Sequence, residues 1–335
     1  PEAIRLVCRE FVMLCRKLNL LSDTVAVDGS KFKAVNNRDK NFTKAKMKRR
    51  LAEVESSIER YLDQLDQADD LAPPEDARPI QDKIAALEEE MDRLKKLEVR
   101  MLEAPGQQLS LTDPDARSMK SRGVGIVGYN VQTVVDAQTH LIVAHDVTNA
   151  GIDRRQLSPM ATKAKEVLES DEPINVIADQ GYYRSQELKA CEEANITAYV
   201  AKSDTSGKRK KGEFSRRQFR YIPDDDEYEC PAGERAIYRF TRTEAGKQIR
   251  RYWSSACVRC PIKVQCTPSD YRRISRWEHE AVVERAEARL ADYPDAMRVR
   301  RATVEHPFGT LKQWMGSGQF LTKTLTNVST EMSLH

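Results

Sequence analysis

Two short apolar runs far apart in the chain, Val25-Ala26-Val27-Asp28 and Val176-Ile177-Ala178-Asp179, each stop on a carboxylate. Runs of this kind, rich in β-branched residues, read as strands, and an acid at the end of each is carried to a strand terminus. A third acid follows Thr303-Val304 as Glu305, with Lys312 seven residues on. Acids delivered from separate elements to one point make a place for divalent metal, and a pair of such metals drives in-line displacement at phosphorus. Taken singly, each acid is better explained as a cap or a strand-end residue, and Asp136 and Asp146 are rivals for the first position.

The rest of the chain supports a mixed sheet with helices packed on it. Residues 24–35 read as a first strand and the turn or hairpin after it. Residues 128–136 and 140–148 read as a hairpin joined by Ala137-Gln138-Thr139. A helix capped by Asp153 and running to about Ser170, a strand at 174–179, a helix at 185–194 and a strand at 196–201 complete the alternation. Between the first strand and the hairpin the period changes. Met47, Leu51, Val54, Ile58, Tyr61 and Leu65 recur at helical steps, and so do Ile80, Ile84, Leu87, Met91, Leu94, Leu97 and Met101. Two amphipathic helices joined at Pro73-Pro74 make an antiparallel hairpin insertion.

The net charge of +3 hides an asymmetry. Residues 43–104 carry 12 basic and 16 acidic side chains, whereas residues 201–280 carry 19 basic and 12 acidic. The second segment is suited to a polyanion. Its basic residues, Lys208, Arg209, Lys210, Lys211, Arg216 and Arg217 among them, suit contact with a nucleic-acid backbone. The nearby Phe214, Phe219, Tyr221 and Trp253 are either base-stacking surfaces or local core, and the acidic run 224–227 is placed to hold the basic loop. Of seven cysteines, Cys8, Cys15 and Cys191 sit in helical contexts as buried thiols. Cys230, Cys257, Cys260 and Cys266 have the Cys-x2-Cys knuckle and two further thiols that suit one structural Zn2+, the alternative being reduced thiols in a small core. No apolar run is long enough to span a membrane. The chain opens and closes inside helical patterns, as a fragment would.

The blocks Val27-Asp28-Gly29-Ser30-Lys31, Asn130–Asp136, Ala178-Asp179-Gln180-Gly181-Tyr182-Tyr183 and Arg301-x3-Glu305-x6-Lys312 together resemble the DDE transposases of bacterial insertion sequences, which have a ribonuclease H-like fold. The last block is similar to the Y-(2)-R-(3)-E-(6)-K signature, with Arg298 in the Tyr position. The resemblance implies that Asp28, Asp179 and Glu305 bind two Mg2+ (or Mn2+) ions and that Arg298, Arg301 and Lys312 contact DNA. The reaction it implies is cleavage at the element's ends, then strand transfer into target DNA, by two-metal phosphoryl transfer. Its partners would be double-stranded DNA, as terminal repeats and as target, and a second copy of the chain, in a cytoplasmic, nucleoid-associated setting.

The expected organisation is a truncated helical end (1–22), a ribonuclease H-like core (23–42 and 105–202), a helical hairpin insertion (43–104), a basic loop with a four-cysteine insertion (203–275), and core helices carrying the third carboxylate (276–335). The rival functions are a catalytically inactive DNA-binding protein derived from a transposase, and a metal-dependent nuclease without strand transfer.

Overall fold

The first apolar run forms a strand much longer than its apolar part. A computed structural model describes residues 2–69, 78–121, 123–202 and 213–335. After helix α1 (Glu2–Lys17), strand β1 covers Thr24–Lys33 and so continues five residues past Asp28, with no hairpin after it. Two short strands, β2 (Asn41–Thr43) and β3 (Gln108–Ser110), pair antiparallel at the base of two helices, α2 (Lys44–Asp69) and α3 (Arg78–Glu103). The helices share a core of Met47, Val54, Leu94, Leu97 and Met101, and the Lys83 ammonium sits over the Tyr61 ring. The Pro-Pro turn expected between them lies outside the described residues.

Strands β4 (Arg117–Ser121), β5 (Val124–Asp136) and β6 (Ile142–Thr148) follow. Next come α4 (Leu157–Val167), β7 (Ile174–Ala178), α5 (Ser185–Glu193) and β8 (Ile196–Val200). The principal sheet runs β4-β5-β1-β7-β8, with β6 also on β5. β1 is antiparallel to β5 and parallel to β7, and β7 is parallel to β8. This mixed sheet flanked by helices is compatible with a ribonuclease H-like domain. The alternation expected from 128 to 201 is the one observed, with one correction. Helix α4 starts at Leu157 rather than at Asp153, and the Gln156 side chain before it makes no capping bond. The Asp153 carboxylate is engaged elsewhere, by Lys31, Asn130 and Gln132.

The two-residue repeat of the strands divides the core. Val25 and Val27 of β1, with Val176 and Ala178 of β7, pack with Leu157, Met160, Leu188 and Cys191 of α4 and α5. Ala26 and Asp28, and likewise Ile177 and Asp179, therefore face the opposite side of the sheet. Gly128 of β5 makes the β1–β5 pairing possible, because a Cβ there would stand 1.9 Å from the Phe32 carbonyl oxygen.

The cysteine-bearing region holds a sheet of its own. It consists of β9 (Arg220–Ile222), β10 (Glu227–Glu229), β11 (Arg235–Glu244), β12 (Lys247–Trp253) and β13 (Ile274–Trp277). Helical character was expected from Arg276, but Arg276 and Trp277 end β13 and helix α6 begins after them (Glu280–Asp292). Phe219, Tyr228, Tyr252 and Ile274 form the core of this unit, so Phe219 is local core. Helix α7 (Ala296–Gly309) follows and crosses the sheet over β1, β5 and β7. It passes through Pro307 without ending and then widens into a π-helical turn at Thr310–Trp314. Helix α8 (Leu325–Leu334) closes the described chain. Among the described residues, no helix is long and apolar enough to cross a membrane.

Candidate active site

Parallel pairing of β1 with β7 sets Val27 beside Ala178, so the next residue of each, Asp28 and Asp179, lies at neighbouring positions. Both point to the face that α7 covers. Arg300 of that helix reaches both, its Nη2 standing 2.6 Å from Asp28 Oδ1 and 3.5 Å from Asp179 Oδ2. Asp28 lies within its strand, whereas Asp179 stands one residue past the end of β7. Its Oδ1 accepts the Gly181 amide at 2.7 Å, capping the short turn Gln180–Tyr182, while Oδ2 remains for Arg300. The capping role and the site role thus coexist on one carboxylate.

Burial pushes the Asp28 carboxyl up to about 6, against the opposing pull of Arg300 and the Gly29 amide. The negative charges of Asp179 and Asp153 add to the rise. An extra positive charge would therefore find a ready place here. Next to Gly29, on the face of the sheet opposite to Asp28, lies a largely buried polar network. Gln132 Nε2 donates to Asp153 Oδ1 at 2.8 Å, Asn130 Nδ2 donates to the same oxygen at 2.7 Å, and Lys31 Nζ donates at 3.1 Å. Tyr182, fully buried, donates its hydroxyl to Gln132 Oε1 and ties the turn after Asp179 to β5. Gly29 leaves room for this network, since a Cβ there would come within 2.9 Å of Asp153 Oδ1.

The third acid is placed differently. On α7 the sheet-facing stripe runs through Ala296, Thr303, Val304, Pro307 and Phe308, and Arg300 falls on it, four residues before Val304. Glu305 is five residues beyond Arg300, about 140° round the helix, and is exposed. Among the described residues no set of three or more His, Cys, Asp or Glu side chains is gathered closely enough to hold a metal ion. The structure thus sets Asp28 beside Asp179 with Arg300 between them, and leaves Glu305 exposed on another side of α7.

The cations of the signature separate as well. Arg301 is exposed, and Arg298 is exposed and paired with Asp295 at 3.1 Å. Lys312, carried round by the π-helical turn, donates to Ser30 Oγ at 2.6 Å and to the Lys31 carbonyl at 2.7 Å, over the Phe32 ring. It fastens the end of α7 to the strand that carries Asp28. Arg216 is paired with Glu280 at 2.6 Å, and Arg217 is exposed. Lys208, Arg209, Lys210 and Lys211 lie outside the described residues. The acidic run meets other partners. Asp226 pairs with Arg250 at 3.0 Å and accepts hydrogen bonds from Tyr221 and Tyr252, and Asp225 pairs with Arg235.

The rivals for the first carboxylate resolve clearly. Asp146 is half-exposed beside Lys163 at 3.6 Å. Asp136 is fully buried and accepts from the Ser22 amide and hydroxyl, the Gln138 amide, and the Thr139 amide and hydroxyl, latching the β5–β6 turn. Cys230, Cys257, Cys260 and Cys266 do line one small cavity, of about 30 Å³. Burial raises the Cys266 thiol, and Cys230 and Cys266 pack against the local aromatic core. Among the described residues no group of three or more possible ligands, these thiols included, is gathered closely enough to hold a metal ion.

Arg300 escaped the sequence analysis because the signature spacing selected Arg298 and Arg301. The available signal was an arginine on the apolar stripe of α7, where a charged residue needs a buried partner. Asp153 escaped because Asp before a helical pattern reads as an N-cap.

Donor chemistry at the Asp28–Asp179 pair fits a hard cation. It offers carboxylate oxygens from rigid strands, and a guanidinium already bridges them as a positive stand-in. Among the curated proteins and the solved structures compared, none matches this chain. A family profile described as the transposase DDE domain matches residues 99–335, a span that includes Asp179, Arg300 and Glu305 and begins after Asp28. By that match over more than half of its length, the chain belongs to the DDE transposase family.

Proposed function

We propose that the chain is a metal-dependent DNA transposase that cleaves at the ends of an insertion sequence and joins the freed 3′ end to target DNA. Asp28, Asp179 and Glu305 are its metal-holding carboxylates. The observation that carries the proposal is the pairing of Asp28 with Asp179 around one positive group, on strands whose rigidity fixes their separation. Divalent metal supplies the Lewis acidity that polarises a phosphoryl oxygen and stabilises charge on the leaving one.

This chain's own groups do the remainder. Asp28 and Asp179 would hold the cation, while Lys31, Asn130 and Gln132 fix Asp153 near enough for its charge to act on Asp28. Arg298 and Arg301, exposed on α7, supply contacts to the DNA backbone, which position the duplex without reading its sequence. Glu305 joins the other two carboxylates when α7 turns or shifts over the sheet.

The test is a nicking assay on supercoiled plasmid and on linear DNA carrying the element ends. Nicking with Mg2+ or Mn2+ that stops on adding EDTA is expected, together with joined products. Metal-dependent nicking that never yields joined DNA would make the chain a nuclease. Binding with no nicking under any metal would make it a DNA-binding protein.

Pairing of two ends calls for two copies of the chain, and the extended pair of helices α2 and α3, which stands on the β2–β3 base, is the surface we assign to that contact. Deleting residues 45–102 is expected to convert a dimer to a monomer in sedimentation. A deletion variant that still sediments as a dimer refutes the assignment.

A further inference from the structure

We propose that Arg300 is a built-in countercation that keeps the Asp28–Asp179 pair closed to divalent metal until a DNA phosphate draws the guanidinium away. The inference rests on the metal-centre reading above and extends it to regulation of the same site.

The geometry is specific. A single nitrogen, Arg300 Nη2, stands 2.6 Å from one carboxylate and 3.5 Å from the other, so it lies where a shared cation would bind both. Its side chain is only 15% exposed, against 42% for Asp179, so the guanidinium is seated inward while one carboxylate still meets solvent. The Arg300 Nε is buried and makes no hydrogen bond. An arginine held by one edge of its fork, with a donor left over, is not in its best-satisfied position. A phosphate oxygen pair arriving beside α7 offers the bidentate partner that the present arrangement lacks. Exposed Arg298 and Arg301 on the same helix would bring such a phosphate there.

A divalent metal bridging the two carboxylates would take the place of Arg300 Nη2, so metal and guanidinium compete. A ligand that removes the competitor raises metal affinity, and by linkage metal must raise DNA affinity by the same factor. Arg300 is therefore a positioning residue whose site changes with the state of the enzyme. Such a device holds metal chemistry back until DNA is in place.

The experiment is Mn2+ binding to the full chain, followed by electron paramagnetic resonance, with and without a short blunt-ended DNA duplex. Wild type is expected to bind Mn2+ roughly tenfold more tightly when DNA is present. In Arg300→Gln the DNA-free affinity is expected to rise roughly tenfold, and the dependence on DNA to flatten. General damage to the fold would instead weaken Mn2+ binding. Arg300→Lys, which keeps the charge but lacks the fork, is expected to fall between the two, and it serves if the Gln variant does not fold. Asp179→Asn in both backgrounds separates the two levels of the argument. If Mn2+ binds Arg300→Gln no more tightly than wild type while Asp179→Asn still abolishes binding, the gate is wrong and the metal centre stands. Mn2+ binding that ignores Asp179→Asn overturns both.

Discussion

Asp179→Asn is expected to lower the rate of DNA nicking by roughly a thousandfold or more, equivalent to about 4 kcal/mol of transition-state stabilisation, with duplex binding nearly unchanged. The substitution keeps the side chain's size and the oxygen that caps the Gly181 turn, and removes the charge that faces Arg300. Asp28→Asn should have the same effect on rate and should also stabilise the fold. With the Asp28 carboxyl raised to about 6 in the folded chain, the fold favours its protonated form. The stability it contributes is fully present below the usual carboxylate value of 3.8 and lost as pH rises through about 6. At pH 7.5 the ionised Asp28 therefore costs the fold on the order of 3 kcal/mol, and Asp28→Asn should relieve that cost. Single-turnover nicking together with urea unfolding at pH 7.5 measures both. Wild-type cleavage by either variant removes these acids from the chemistry, and an Asp28→Asn that is less stable than wild type removes the electrostatic account.

The second large effect concerns an acid outside the site. Asp136→Ala is expected to destabilise the fold by about 3–5 kcal/mol, because it strips acceptors from three backbone amides and two hydroxyls around a fully buried position. Burial alone would push this carboxyl up, but the bonds from Thr139 and Ser22 outweigh it and hold it below 3.8. A depressed value in the folded chain contributes stability that is present above pH 4 and lost as pH falls through the folded value. The gap between wild type and Asp136→Ala should therefore be full at pH 7 and narrow in acid. Urea midpoints at pH 7 and pH 3 decide it, and an unchanged gap would mean that the carboxylate charge is not what matters. DNA nicking by the folded fraction should persist, which separates this acid from Asp28.

The contrast between Asp136 and Asp28 shows what kind of information a sequence carries here. Both acids follow valine-rich runs, and both end up on adjacent strands. Their roles diverge because one meets amide donors in a turn and the other meets a second carboxylate across a parallel pair. Neither encounter is written in local pattern. The strands and helices from 128 to 201 were legible because their apolar residues repeat with periods of two and of three to four, and the parallel neighbours could be anticipated from strand order. The sheet of β9–β13 was not legible, since Arg235, Arg239 and Arg242 interrupt β11 and Lys247, Arg250 and Arg251 interrupt β12, leaving no regular apolar alternation to mark a face. Family resemblance named Asp28, Asp179 and Glu305, and the pairing of the first two stands in the structure. Arg300 was invisible to a motif that counts residues from Glu305.

Local sequence determined where the strands and helices from 128 to 201 form and that Asp28 and Asp179 each follow an apolar strand run, because side-chain alternation and apolar runs are properties of the chain itself. Tertiary structure alone decided which cation those carboxylates meet, which acid serves as a latch, and that Glu305 stands aside from the pair. Those outcomes depend on how α7 lies across the sheet, and that packing is set by residues far apart in sequence.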